Sequence, residues 1–336
     1  MDNLTHTLTG LFLSRAGLNR FTPRATWILL LAANAPDVDI VSAAGGSLNY
    51  LHYHRNFTHS LLFAPVLAVV CALVVRLVRR KPAPTPTAWI PAIGIALIGI
   101  LSHLLLDLTN VYGVRILLPF DVRWFRWDLT NVVDLWIWAA LLLSLLGPFV
   151  AKLVGSEIGA KPRGPAYPGR GFAIFALAFL LIYNYGRYLL HDRATATLDA
   201  RIYNGAAPIG VAAFPGPASP LLWRGLTETR DAYYLFDLNL LQPFDPASGQ
   251  VAMKAERTAA IEAANRTPAF REYLTFSQFP LWRALPAADI EGATRVEVMD
   301  LRFGSPASPG FVCTVILDKS LQVIRSWFQF GSASPR

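Results

Sequence analysis

Charge is scarce in this 336-residue chain: 15% of the residues are Asp, Glu, Lys or Arg, while 54% are hydrophobic. With a mean hydropathy of +0.39, that balance excludes an ordinary soluble protein. Cysteine is scarcer still, at two residues. Cys71 sits inside an apolar run and Cys313 in a distant strand-like segment, so there is neither a CxxC pair nor a disulfide framework. Also missing are an internal repeat and the basic opening of a cleavable signal peptide, since the first basic residue is Arg15, after an apolar stretch. The N-terminus is therefore expected to be retained.

The apolar residues crowd into positions 1–190 and thin out afterwards, which predicts two domains: a membrane domain, 1–190, and a more polar one, 191–336. A bilayer core of about 30 Å needs roughly 20 apolar residues, and about 17 suffice for a short span. Leu61–Val78, Trp89–Leu106, Leu135–Val154 and Phe172–Leu190 meet that requirement. Residues 3–18 and 25–41 are read as two further spans, although the first carries Asp2, Thr5, His6, Thr7 and Thr9 and the second ends in Asp37 and Asp39. The alternative for these two is a pair of amphipathic or half-inserted helices.

Net charge is +8. With six spans, the basic loops fall on one side: Arg15, Arg20 and Arg24; then Arg76, Arg79, Arg80 and Lys81; then Lys152, Lys161, Arg163 and Arg170. The positive-inside rule makes that side cytoplasmic, which explains the basic excess without nucleic acid, and none is expected as a partner. The expected partner is membrane lipid. His6, Asp37, Asp39, His54, His59, His103 and Asp107 then gather at one depth near the outer face.

Beyond residue 190, Val296–Phe303, Val312–Leu317 and Leu321–Phe330 read as strands. Lys254–Asn265 reads as a helix that resumes, after a break near Pro268, over Ala269–Phe279. The predicted fold class is thus an all-α polytopic membrane domain followed by an α+β extramembrane domain exported past the last span.

The gathered His and Asp side chains have metal-ligand chemistry. His103 and Asp107, four apart, project from one helix face and can chelate a divalent cation such as zinc or manganese. His54 and His59 lie at the mouth of the next span, where both can ligate, or one can ligate while the other serves as acid or base. Asp37 and Asp39 follow Pro36 on an irregular turn, and carboxylates at a membrane boundary are costly unless paired, hydrated or metal-bound. Asn34 reads as a supporting or capping group, and Arg55 as a holder of an anionic oxygen. Asp128 and Asp134 read as structural ion-pair residues. Seven His and Asp groups exceed the three or four ligands of one catalytic zinc, so one or two ions, or one ion with an acid/base pair, are expected.

Asp2-Asn-Leu-Thr-His6, Asn34-Ala-Pro-Asp37-Val-Asp39, His54-Arg55 with Thr58-His59-Ser60, and His103 with Asp107 resemble the bacterial inner-membrane metal-dependent hydrolases of the YdjM/YfhP type. The resemblance covers residues 1–190, and the C-terminal domain is similar to the extra domain of the longer members. It implies a multi-pass inner-membrane protein whose metal ligands are His6, Asp37, Asp39, His54, His59, His103 and Asp107. A more distant similarity, through His103-x-x-x-Asp107, is to zinc-dependent phospholipase C, and it favours phosphoester chemistry. The expected function is hydrolysis of an ester or phosphoester bond in a lipid-like or phosphorylated substrate, with His54, Asp39 and Arg55 as catalytic groups and the site on the extracytoplasmic side. The alternative is a non-catalytic membrane protein with a structural metal site, a scaffold or a metal-handling transporter.

Overall fold

The computed structural model describes residues 1–78, 89–159 and 169–331. Arg79, Arg80, Lys81, Lys161 and Arg163, read above as loop cations, lie outside the described residues. The chain forms two compact units. The first contains Met1–Val38, Arg55–His191 and Pro215–Pro220; the second contains Asp39–His54, Asp192–Phe214 and Leu221–Arg336.

Among the described residues, seven α-helices lie in the region to residue 199: α1 (Asn3–Ala16), α2 (Ala25–Ala32), α3 (Ser47–Tyr53), α4 (Ala64–Val78), α5 (Trp89–Thr109), α6 (Leu135–Glu157) and α7 (Arg170–Asp199). The Asp2 carboxylate starts α1 by accepting the Leu4 and Thr5 amides, both at 3.0 Å. Gly17 ends it at φ 142°, a conformation that side chains other than hydrogen disfavour. Asp134 starts α6 in the same way, accepting from Trp136 and Ile137. Pro36 lacks an N–H and disfavours helical geometry in the residue before it. The expected 25–41 span is accordingly broken: α2 stops at Ala32 and a 3-10 run takes over at Pro36–Gly45.

Three of these helices, α5, α6 and α7, are long and apolar enough to cross a membrane. The number rises to five if two broken pairs, Ala25–Ala32 with Pro36–Gly45 and Ser47–His59 with Ala64–Val78, each count as one span. Helix α1, at 14 residues, is about 21 Å long and does not reach across a core of about 30 Å.

Small residues set the packing of the first unit. Ala25 and Ala32 of α2, Ala64, Ala68 and Ala72 of α4, and Ala92 and Ala96 of α5 are all buried in one cluster with Ile28, Leu29, Cys71 and Ile100. Small side chains let helices approach closely where lipid supplies no hydrophobic drive. Gly99 is a tight point between α2 and α5, because a Cβ there would lie 2.9 Å from Ala32 Cβ. A second cluster joins α1, α6 and α7 through Phe12, Ile137, Leu141, Ala173 and Ala176. We expect Gly99→Leu to force α2 and α5 apart and to lower stability by about 1–3 kcal/mol. Thermal unfolding in detergent measures this, and an unchanged midpoint would show that the contact is not tight.

The second unit holds two four-stranded sheets. The first runs β1 (Gly210–Pro215), β2 (Leu222–Glu228), β3 (Ala232–Asn239), β4 (Gln250–Met253), and the second β5 (Pro280–Pro286), β6 (Thr294–Asp300), β7 (Phe311–Leu317), β8 (Val323–Phe330). Strands β2 to β4 and β5 to β8 pair antiparallel with their sequence neighbours. Between the sheets in sequence come α8 (Ala259–Asn265) and α9 (Pro268–Phe276). The helix expected from Lys254 begins only after Thr258, whose hydroxyl accepts the Ile261 amide at 3.3 Å. Strand β6 ends at Asp300, short of the expected Phe303, because Asp300 caps a 3-10 turn over Leu301–Phe303. Helix α3 packs within this unit: Ser47 Oγ donates to the Phe328 carbonyl at 2.7 Å, and Tyr50 meets the Phe330 ring edge-on.

Candidate metal centre

Four of the expected ligands converge in the first unit. Asp37 enters on the 3-10 run after the Pro36 break, His59 on a short 3-10 turn at Phe57–His59, and His103 and Asp107 on one face of α5. One donor atom from each lies within 4.8 Å of every other, and all four residues are buried.

The spacing of those donors fits one small cation. His59 Nε2 and His103 Nε2 are 3.2 Å apart. Each stands 3.3 Å from Asp107 Oδ2, and they lie 3.4 and 3.6 Å from Asp37 Oδ1. Ligand bonds of 2.0–2.1 Å in tetrahedral geometry place donors roughly 3.3–3.4 Å apart. Asp107 Oδ2 is buried and makes no hydrogen bond, an unsatisfied anionic oxygen that a cation among these donors would satisfy. Two imidazoles with two carboxylates suit zinc and also accommodate manganese.

Neighbouring groups aim these donors. His103 Nδ1–H donates to the Ala33 carbonyl at 2.8 Å, which turns the unprotonated Nε2 toward the other ligands. That bond depends on the close α2–α5 approach at Gly99, one turn earlier. His59 Nδ1 is hydrogen-bonded to Thr58 Oγ1 at 3.1 Å. Asp107 Oδ1 accepts from Arg55 Nη2 at 3.0 Å and from Asn110 Nδ2 at 3.3 Å. Arg55 also donates to Asn110 Oδ1 at 3.1 Å and lies over the Tyr112 ring. The guanidinium therefore orients Asp107 from behind.

The remaining expected residues take other places. His6 is buried with its ring stacked on His103 at 3.7 Å. Asp39 and His54 belong to the second unit, where His54 Nδ1–H donates to Asp39 Oδ1 at 2.8 Å and the imidazole stacks on Tyr50. Asn34 donates to the Leu30 carbonyl and accepts from Thr7 Oγ1, tying α2 to α1. Asp128 pairs with Arg126, and Asp134 caps α6 while accepting from Tyr183. Asn110 was not singled out by the sequence, because it lies just past the end of α5 at Thr109, where it pairs with Thr130, rather than on the helix face that carries His103 and Asp107.

The family model of the YdjM inner membrane proteins matches residues 1–193. The chain belongs to that family. Residues 259–332 match the YfhP C-terminal alpha/beta plait domain, which covers α8, α9 and the second sheet. Over 344 aligned positions the chain is 23% identical to uncharacterized protein YfhP of Bacillus subtilis (strain 168), covering 97% of this chain and 94% of that one. It is 34% identical to inner membrane protein YbcI of Escherichia coli (strain K12) over 115 residues, a third of this chain and 63% of that protein. No solved structure matches. In this family member, the matched region contains the whole buried Asp/His quartet.

Proposed function

We propose that this YdjM family member is a membrane-bound metal-dependent hydrolase that cleaves an ester or phosphoester bond in a lipid-like or phosphorylated substrate. The observation that carries the reading is the quartet of Asp37, His59, His103 and Asp107, whose donor spacing fits a single divalent cation. A cation held by Asp37, His59, His103 and Asp107 would supply Lewis acidity and would lower the pKa of water. Arg55 and Asn110 hold Asp107, and the Ala33 carbonyl holds His103. The Asp37 side chain is a tenth exposed, while those of His59, His103 and Asp107 are fully buried, so approach is from the Asp37 edge. Within the second unit His54 donates to Asp39, the arrangement in which a carboxylate orients an imidazole base. The distribution of Arg15, Arg20, Arg24, Arg76, Lys152 and Arg170 supports a cytoplasmic side opposite the site, with the C-terminal domain extracytoplasmic, and membrane phospholipid is the first substrate to test.

A structural metal site is the second reading. Four protein donors complete a tetrahedron, and three of them are fully buried, as in closed structural zinc sites.

Metal analysis of the detergent-purified protein by inductively coupled plasma mass spectrometry tests both. Stoichiometric zinc or manganese is expected, lost in His59→Ala/His103→Ala. Turnover of lipid phosphoesters that disappears with the metal supports hydrolysis. Metal without turnover of any ester or phosphoester, and with lower thermal stability on its removal, selects the structural reading. No metal after reconstitution with zinc and with manganese would sink both.

A further inference from the structure

Helices α6 and α7 leave a groove between them that lies apart from the buried Asp/His quartet. It has a volume of about 530 Å³ and is lined by Leu143, Gly169, Arg170, Gly171, Phe172 and Phe175, over a floor that contains Ser144. Leu143, Phe172 and Phe175 are exposed on helices long and apolar enough to cross a membrane, so the walls offer apolar surface to lipid. The Phe172 ring closes one side against Gly147, where α6 has no room for a Cβ. The mouth stays open at Gly171, where a Cβ would meet nothing within 4 Å.

Arg170 sets a positive charge at that mouth, and two contacts with α1 hold it there. Its Nε donates to the Ala16 carbonyl at 3.0 Å, and its guanidinium lies against Gly17, where a Cβ would be 3.5 Å from Nη2. Helix α7 begins at the same residue, behind Gly169, whose carbonyl accepts the Ala173 amide but which has no side chain to cap the amides before it. The positive end of the helix dipole therefore adds to the arginine charge. In the floor, the Ser144 hydroxyl is buried without a hydrogen-bond partner, a donor in an apolar wall that lacks an acceptor.

We infer that this groove holds an anionic phospholipid, with its phosphate at Arg170 and the first turn of α7 and one acyl chain along Leu143, Phe172 and Phe175. Both parts of the ligand are matched: a basic mouth between membrane helices suits an anionic headgroup, and the exposed rings suit a hydrocarbon chain. The ester carbonyls that join the two parts are acceptors, the chemistry that Ser144 lacks. Along α1, ten residues separate His6, stacked on His103, from Ala16, which holds Arg170. That is roughly 15 Å of helix, so the lipid site stands or falls independently of the metal centre.

Native mass spectrometry of the detergent-purified full chain, given equal amounts of dimyristoyl phosphatidylglycerol and dimyristoyl phosphatidylcholine, tests the site. The two lipids share their acyl chains, so a preference reads the headgroup alone. The wild type is expected to retain phosphatidylglycerol about fivefold over phosphatidylcholine. Arg170→Gln should bring that ratio close to one, and so should Gly171→Trp, which fills the mouth where no atom has to move. Equal retention of the two lipids by the wild type would overturn the site. A preference that persists in both variants would put the lipid elsewhere and overturn it as well. If Arg170→Gln does not elute as a single species from size exclusion, Gly171→Trp decides alone: the preference lost supports the site, and the preference kept overturns it. A dimer of the chain that Gly171→Trp dissolves would show that a second copy, not a lipid, fills the groove.

Discussion

Asp107→Ala is expected to lose bound metal and also to destabilise the membrane unit by about 3–5 kcal/mol, because it leaves the buried Arg55 cation without its carboxylate. His103→Ala is expected to lose the same metal at a smaller cost of about 1–3 kcal/mol, from a vacated donor to the Ala33 carbonyl. The two ligands thus differ in what stands behind them. Metal analysis and thermal unfolding of the metal-free forms in detergent, run side by side, separate the effects. The sharpest comparison is Arg55→Met/Asp107→Leu, which removes both partners and should regain most of the stability of Asp107→Ala while still binding no metal. Equal stability of metal-free Asp107→Ala and His103→Ala would show that the Arg55 pair contributes nothing. Metal retained by both would dismiss the quartet.

Much of this site was legible in residue spacing, and the reason is local. His103 and Asp107 share a face because a helix repeats every 3.6 residues, and the break at Pro36 follows from proline chemistry. Which of the seven His and Asp groups come together was not legible, because Asp37 and His59 meet His103 and Asp107 of α5 only through tertiary packing. The small residues that permit that packing read simply as apolar. The behaviour of Arg55 was also hidden: an arginine beside a histidine motif suggests an anion site, and only the fold shows that Asp107 and Asn110 already engage it.

In the second unit, the three C-terminal strands were legible because their ends are marked by turn residues. The first sheet was not. Strand β3, Ala-Tyr-Tyr-Leu-Phe-Asp-Leu-Asn, is buried at nearly every position, so it lacks the two-residue alternation that announces a strand with one wet face. The late start of α8 has a similar cause. Lys254, Ala255 and Glu256 favour helix individually, but the chain is still leaving β4 at Met253, and the first side chain able to cap a helix is Thr258.

Asp300→Ala is the second substitution with a large expected effect. Arg302 is buried, donates through Nε and Nη2 to Asp300 and through Nη2 to the Phe276 carbonyl, and lies over the Phe276 and Phe303 rings. Removing the carboxylate strands that cation in the core and should cost about 3–5 kcal/mol. The pair also sets an acid limit. Burial pushes the Asp300 carboxyl up, but the Arg302 guanidinium and the hydrogen bonds from the Arg302 side chain and the Arg302 and Gln278 amides outweigh it and hold the carboxyl below its ordinary value. A depressed folded value means that its contribution is complete above the unfolded carboxylate range, about 3.9, and is lost as pH falls through the folded value beneath it. Unfolding followed by tryptophan fluorescence from pH 7 downward should therefore show an acid-dependent loss of stability that Asp300→Asn reduces. An identical acid profile in the variant would remove Asp300 from this role.

The placement of α3 has a consequence in time. Ser47 bonds to Phe328 across 281 positions of chain, and at about 5–20 residues per second the ribosome needs roughly 15–55 s to make that length. Until β8 emerges, Ser47 and Tyr50 lack the strand they finally meet, although most of the intervening helices have already been synthesised. The segment 39–54 is among the first parts of the second unit to be made and among the last to be completed. A ribosome that stops before β8 releases a chain whose α3 has no strand to dock on, and such a product is the form most open to proteolytic removal.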